Sequence, residues 1–259
     1  MSLVSVMERK HIVSVRMNRP DVRNAFNPEM IEELTRIFRG FEKRKDLRAV
    51  IFSGEGKIFC AGADLSWMKA MVNYSLEQNR EDSMKLFSMF EAMALCPLPV
   101  LGLAHGAAYG GALGLLACCD EVIVEKGTSF CFSEVKLGIA PAVISSFVLR
   151  KTSAGLVRPL MLSGRVFDAE EARRTGLVHH IVEAGGGLNE IEKLALQWCE
   201  AGPEAVRETK RLLNDNPNLD WDQQRERTAR LIAERRVSTE GQEGLKSFLE
   251  KRNPSWRDL

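Results

Sequence analysis

The sequence predicts an α/β fold, with a parallel sheet covered on both faces and a helical region at the C-terminal end. Three observations carry that prediction. Short apolar runs at 48–52, 98–104 and 121–124 alternate with segments of helical period, as parallel strands joined by crossover helices do. Two turns, Phe59-Cys60-Ala61-Gly62-Ala63-Asp64-Leu65 and Gly106-Ala107-Ala108-Tyr109-Gly110-Gly111-Ala112, each follow a β-like run and lead towards a helix. After Asp168 the texture changes and helical patterns dominate.

The elements follow in order. A hairpin opens the chain, with strands at 3–7 and 11–17 closed off by Asn18-Arg19-Pro20. Asn27 before Pro28 reads as a helix N-cap with a first-turn proline, and Glu29 suits the positive end of the helix. Met30, Ile31, Leu34, Ile37, Phe38 and Phe41 then repeat at helical spacing. A strand at 48–52 precedes the first turn. A helix over 79–94 has Met84, Phe87, Phe90 and Met93 largely on one side. A strand at 98–104 enters the second turn, and a buried helix spans 111–119. Strands at 121–124 and 130–132 precede Glu134. Helices are then predicted at 169–175, 188–200, 203–213, 221–237 and 240–251, with a strand at 177–182 and a flexible joint at Gly185-Gly186-Gly187. The division expected is an α/β core over 1–200 and a helical region over 201–259. No internal repeat or low-complexity tract interrupts it.

The chain has 259 residues, ample for a hydrophobic core. Lys plus Arg number 36 against 35 for Asp plus Glu, a formal charge of +1. That balance speaks against a general nucleic-acid or membrane-surface binder, though a local basic spot for a phosphorylated ligand is compatible with it. The six cysteines lie mostly in apolar runs without metal-ligand spacing. They read as reduced core cysteines of a cytoplasmic protein, and no metal site is expected. No signal or transit pattern opens the sequence, and the longest apolar runs are too short to span a bilayer.

Chemistry concentrates at the two turns. Neither matches a dinucleotide fingerprint, and no phosphate-binding P-loop or nucleophile elbow occurs. Small residues at a strand-to-helix turn let main-chain N–H groups approach one another and point at a single developing negative charge. Two donors on one carbonyl oxygen would make an oxyanion hole. Taken singly, such a turn is more often tight packing than an active site. Glu134 alone reads as a surface or capping acid.

The two turns, the helix running to Cys118-Cys119-Asp120, and Asn18-Arg19-Pro20 with Asn24-Ala25 resemble the enoyl-CoA hydratase/isomerase (crotonase) superfamily. So do Ser133-Glu134-Val135-Lys136-Leu137-Gly138-Ile139-Ala140-Pro141, Gly176-Leu177-Val178, and the tail from Glu240 to Arg252. The resemblance covers nearly the whole chain in order. Within the superfamily, the wording from Gly106 to Gly114, the 137–145 stretch and the tail look most like bacterial methylglutaconyl-CoA hydratases. Relatives acting on isohexenylglutaconyl-CoA look similar too.

The resemblance implies a crotonase-like repeated β-β-α core with a helical C-terminal region. It also implies a substrate carried as a coenzyme A thioester, without a prosthetic group. The thioester oxygen would lie between the N–H groups of Ala63 and Gly111, each such donor being worth roughly 3–4 kcal/mol of barrier. Glu134 matches the second catalytic glutamate, with burial raising its pKa so that it serves as acid and base in turn. Arg23, Ala61, Asp64, Leu65, Phe248 and Lys251 fall on coenzyme-binding positions, the last two commonly reached from a neighbouring subunit of a homotrimer or hexamer. Gly114, Tyr109 and Ser145 fall on the substrate pocket. A partner for a distal substrate carboxylate is expected in the 67–80 stretch or near Ser145.

One departure stands out. Gly114 occupies the place of the first glutamate of enoyl-CoA hydratases. Either Glu134 handles both water and proton, or a substrate carboxylate orients water in the space that Gly114 leaves. The leading reading is reversible hydration of a branched, carboxylated enoyl-CoA, 3-methylglutaconyl-CoA of leucine breakdown first. The alternatives are a Δ3,Δ2-enoyl-CoA isomerase working with one glutamate, and a non-catalytic CoA-thioester or RNA binder, against which the charge balance and Glu134 count.

Overall fold

The computed structural model describes residues 2–257, so the last two positions of the expected 201–259 region lie outside the described residues. Strands β1 (Val4–Arg9), β2 (Ile12–Met17), β3 (Ala49–Gly54), β4 (Val100–Ala104), β6 (Glu121–Glu125) and β8 (His180–Val182) form one six-stranded sheet in the order β1-β2-β3-β4-β6-β8. Only β1 and β2 run antiparallel; every later neighbour is parallel. A second, small sheet pairs β5 (Ala107–Tyr109) with β7 (Ser129–Cys131). Single bridges extend it: Phe26 to Ala63, Cys60 to Ala108, and Phe130 to Phe167. Each pass of the chain therefore lays a long strand in the large sheet and a short one in the small layer.

Helices cover the large sheet. In chain order they are α1 (Pro28–Gly40), α2 (Leu65–Met71), α3 (Leu76–Ala94), α4 (Gly111–Ala117), α5 (Ala142–Lys151), α6 (Ala154–Ser163), α7 (Ala169–Thr175), α8 (Gly187–Trp198), α9 (Pro203–Asp215), α10 (Trp221–Val237) and α11 (Thr239–Leu249). All residues of β3 and β4 are buried, as strands with helices on both faces require. Ala49, Ile51, Leu101, Leu103 and Ile123 point to α8, whose Ile191 and Ala195 complete that layer. Val50, Phe52, Val100, Val122 and Val124 point the other way, into the main core with residues of α1, α3 and α4. Among the described residues no helix is long and apolar enough to cross a membrane.

Local signals account for several boundaries. The Asn27 side chain caps α1 by accepting from the Met30 N–H at 3.1 Å. Helix α3 begins three residues earlier than the apolar pattern indicates, because Ser75 and Gln78 form a capping box. The expected strand at 177–182 is shorter. Leu177 and Val178 donate their N–H groups to Ala172 O instead, closing α7 around Gly176, whose φ is +88°.

The expected flexible joint at 185–187 is also corrected. Gly187 is buried, and a Cβ there would lie 2.5 Å from the Leu103 Cδ1 atom and 3.1 Å from Glu125 Oε1. The glycine lets α8 sit close on the sheet.

The helical region is tied to the core by buried charge. Lys210 of α9 donates to Asp120 Oδ2 at 2.6 Å and to Leu98 O at 2.9 Å, while the Val100 N–H donates to the same carboxylate oxygen at 2.7 Å. Arg207 reaches Arg44 O and Leu47 O. The six cysteines are free, and five are buried.

Candidate active site

The two glycine turns meet. Gly62 has φ +92°, and a Cβ on it would stand 2.8 Å from Tyr109 O, so only glycine allows this contact and this backbone. The Phe26–Ala63 bridge then sets the direction of the amides. Phe26 donates to Gly62 O at 2.9 Å, and Asp64 donates to Phe26 O at 3.0 Å. Alternation along an extended chain turns the Ala63 N–H to the opposite side, and it has no acceptor among the described residues. Gly110, at φ +54°, gives its own N–H to Cys131 O at 2.8 Å and begins α4 with no side-chain cap. Gly111 is the first helical residue; its N–H has no intrahelical acceptor and none elsewhere among the described residues. The two unpartnered amides thus follow Gly62 and Gly110, a Gly62 Cβ standing 3.9 Å from the Gly110 Cα.

Glu134 stands at the same place. It lies in the 3-10 turn Ser133–Leu137, and its Oε1 is 3.5 Å from where a Gly110 Cβ would be. Its Oε2 is buried and has no hydrogen-bond partner among the described residues. Burial raises its pKa above the ordinary carboxylate value, against a smaller lowering by its own main-chain N–H. A half-buried acid with one free oxygen and a raised pKa is suited to take up and return a proton.

The space expected at Gly114 is not there. A Cβ at Gly114 would lie 2.7 Å from Ile144 Cγ2 and 2.8 Å from Phe90 Cε1. Phe90 is fully buried and packs its ring 5.4 Å from that of Phe147. The position therefore holds neither a carboxylate nor room for water, which overturns the notion that a substrate carboxylate orients water in a gap beside Gly114. The close approach of α3 and α5 to α4 fills it.

The remaining expected residues divide. Arg23, Ala61, Asp64 and Leu65 gather at the first turn. Arg23 has an exposed side chain and a left-handed backbone (φ +57°), and its carbonyl accepts from the Ala61 N–H at 3.0 Å. Asp64 is buried, capping α2 through the Ser66 N–H at 2.8 Å and pairing with Arg19 at 2.9 Å. Leu65 is exposed. The Tyr109 hydroxyl is engaged with Ser129 Oγ at 3.1 Å, and the Ser145 hydroxyl donates to Ala142 O of its own helix at 2.7 Å. Phe248 and Lys251 are exposed at the end of α11, and no hydrogen bond among the described residues ties that end to the turns.

One residue, Asn24, escaped functional reading of the sequence, and Trp67 opens the 67–80 stretch in which a partner for a distal substrate carboxylate is expected. Asn24, fully buried, donates through Nδ2 to Glu55 O, Ile58 O and Phe59 O and accepts from the Arg19 N–H, clasping the approach to the first turn. Its backbone is left-handed, with a φ of +53°, a conformation that asparagine adopts more readily than most residues. Trp67, in the first turn of α2, packs on Phe26 with ring centroids 6.5 Å apart. The Phe26 ring tip in turn lies against Gly111, 2.4 Å from a would-be Cβ.

Known proteins share this architecture. The enoyl-CoA hydratase/isomerase family profile matches residues 7–259. A Thermus thermophilus protein assigned as an enoyl-CoA hydratase is 32% identical over 248 residues, covering 96% of this chain and 98% of that one. Among solved structures, one from Legionella pneumophila assigned to the enoyl-CoA hydratase/isomerase (crotonase) group is 39% identical, with a TM-score of 0.91 and 99% of each chain covered. AtuE from Pseudomonas aeruginosa is 30% identical, with a TM-score of 0.95, over 99% of this chain and 100% of that one. A chain with two unpartnered amides on touching turns, a buried acid beside them and this match along its length belongs to the enoyl-CoA hydratase/isomerase family.

Proposed function

We propose that the protein adds water reversibly to enoyl-CoA thioesters, with Ala63 and Gly111 as the oxyanion donors and Glu134 as acid and base. The observation that carries this reading is a pair of free N–H groups on two touching turns, with a half-buried carboxylate that has a free oxygen beside one of them. The thioester oxygen accepts from both amides, so charge delocalised onto it on addition is met by preorganised donors. Glu134 takes a proton from water as the oxygen bonds to C3 of the enoyl group. The enolate then collapses as Glu134 returns a proton to C2, leaving the 3-hydroxyacyl thioester. The CoA moiety is carried by the exposed Arg23 loop, the Ala61, Asp64 and Leu65 main chain, and Phe248 and Lys251 of a neighbouring copy in a trimer or hexamer. Exposed Trp221, Val237, Phe248 and Leu249 on the C-terminal helices support such an assembly.

Within that class we assign a branched, carboxylated acyl group, 3-methylglutaconyl-CoA being the leading substrate and 3-hydroxy-3-methylglutaryl-CoA its hydrated partner. The sequence wording around Gly106–Gly114, 137–145 and the tail supports it. One observation favours a second reading: the contact of Gly114 with Phe90 and Ile144 leaves no second acid there, and Asp64 is engaged by Ser66 and Arg19, so Glu134 alone has a free carboxyl oxygen at the turns, which suits a Δ3,Δ2-isomerase moving one proton between carbons. Incubation with 3-methylglutaconyl-CoA, crotonyl-CoA and a 3-enoyl-CoA separates the two. Gain of one water supports hydration; shifted conjugation without mass change supports isomerisation. Glu134→Gln is expected to lower kcat about 10²–10⁴-fold, and near-normal hydration by that variant would remove Glu134 from the mechanism.

A further inference from the structure

A water that attacks carbon needs two partners, and position 114 does not supply the second. One hydrogen passes to the base; the other is best held by an acceptor, which fixes the direction of the attacking lone pair. Phe90 and Ile144 close over Gly114, so that acceptor stands elsewhere. The surroundings of Gly110 show where. At the place of a Gly110 Cβ, the nearest atoms are Ser133 Oγ at 3.3 Å and Glu134 Oε1 at 3.5 Å. A hydroxyl and a carboxylate oxygen thus border one spot, next in the chain to the free Gly111 amide. The Ser133 hydroxyl is also uncommitted. Ser145, Ser163, Ser238 and Ser247 each donate to a carbonyl three or four residues back, the usual habit of serine in helices and turns. Ser133 opens its 3-10 turn without such a bond among the described residues and without capping it. The hydroxyl is not sealed away either. Ser133 is half-buried, and among the described residues the buried side-chain atoms without a partner are Trp67 Nε1, Glu134 Oε2 and Asn216 Oδ1. Ser133 Oγ, without a partner, is therefore open to a small molecule.

We propose that Ser133 is a second catalytic residue, its hydroxyl holding the water that Glu134 activates. This rests on the hydration reading above and says what stands in for the missing carboxylate. Ser133 Oγ accepts a hydrogen bond from the water while its own proton stays in place. The water oxygen bonds to C3 as one of its protons passes to Glu134. Its other proton remains on the new 3-hydroxyl, still donated to Oγ. Glu134 then returns its proton to C2, and Ser133 ends as it began. A neutral acceptor suits this place, because a second carboxylate so near would oppose the ionisation of Glu134.

The test compares two rates in the full chain. One is water addition to crotonyl-CoA and 3-methylglutaconyl-CoA. The other is exchange of the C2 protons of butyryl-CoA in deuterium oxide, read by mass, which uses the amides and Glu134 but no attacking water. Ser133→Ala is expected to lower the hydration kcat about 10-fold more than it lowers the exchange rate. Ser133→Cys, close in size but a poor acceptor, should shift the ratio the same way, and serves if the alanine protein does not fold. Ser133→Thr keeps the hydroxyl and should return the ratio most of the way to wild type. A merely structural role would lower both rates together. An equal fall of the two rates in Ser133→Ala or Ser133→Cys, or a Ser133→Thr ratio no better than theirs, overturns the assignment and leaves the hydration reading standing. A wild type that exchanges the C2 protons of butyryl-CoA yet adds water to neither enoyl-CoA overturns both.

Discussion

The turn at 59–65 passes into α2 through a capped helix start, whereas the turn at 106–112 enters α4 through Gly110 with no side chain to cap it. At the first, the Asp64 carboxylate already occupies the helix start and is itself held by Arg19. Only the Ala63 amide, one residue before the cap, is left over. At the second, the first-turn amide of Gly111 is open and the acid stands across the chain at Glu134 rather than within the turn. Two turns of similar composition thus contribute one donor each by different means. A negative group is built into the first and kept beside the second, where it is free to exchange a proton.

Substitutions separate the two turns. Gly62→Ala is expected to be the most damaging, destabilising by about 2–4 kcal/mol, since the new Cβ meets main-chain oxygen that cannot rotate away and the φ of +92° is strained for alanine. Wild-type resistance to urea in that variant would mean the turns are not locked together. Gly111→Ala meets the Phe26 ring instead, costing about 1–3 kcal/mol. A second substitution, Phe26→Leu, should recover part of that loss and none of the loss at Gly62, a difference read in a double-mutant cycle. Asp64→Ala removes the α2 cap and the Arg19 partner together, for about 1 kcal/mol.

Acid distinguishes the same two regions more subtly. Burial alone would raise the Asp64 pKa, but the Ser66 N–H and Arg19 together hold it below its ordinary 3.8. Its contribution to stability is therefore present above that value and fades as pH falls through the lower folded pKa. Glu134 is shifted upward from 4.5, so its ionisation costs stability as pH rises through the raised folded pKa. Glu134→Gln should then melt about 2–4 °C above the wild type at neutral pH, if freeing the site of a buried unpaired charge is worth about 1 kcal/mol, and no higher below pH 4.5. Melting curves of wild type and variant against pH decide it. Equal melting temperatures at neutral pH would place Glu134 in a more hydrated setting.

Much of this was legible along the chain. Capping and glycine signals at Asn27-Pro28 and Gly176 placed helix ends, and the fully apolar runs foretold a sheet with helices on both sides. Helices α5 and α6 were not foreseen, and α2 only as a helix towards which the first turn leads. In α5 and α6 Leu149, Leu156 and Leu162 are exposed and Pro159 sits mid-helix, so the apolar pattern has no clear 3.6-residue contrast. Asn24 was invisible as a site residue because its meaning depends on what lies 31–35 residues away.

The order of residues by itself determined most of the extended and helical segments, which turns could bring main-chain amides close, and that an acid follows β7. Those properties follow from side-chain size, periodicity and capping within a few residues. Only the tertiary structure decided that Gly62 rests on Tyr109, that Glu134 flanks Gly110 with an oxygen to spare, and that Phe90 and Ile144 close over Gly114. Each of these is a contact between chain-distant segments, set by how strands stack and helices pack, and no local propensity encodes it.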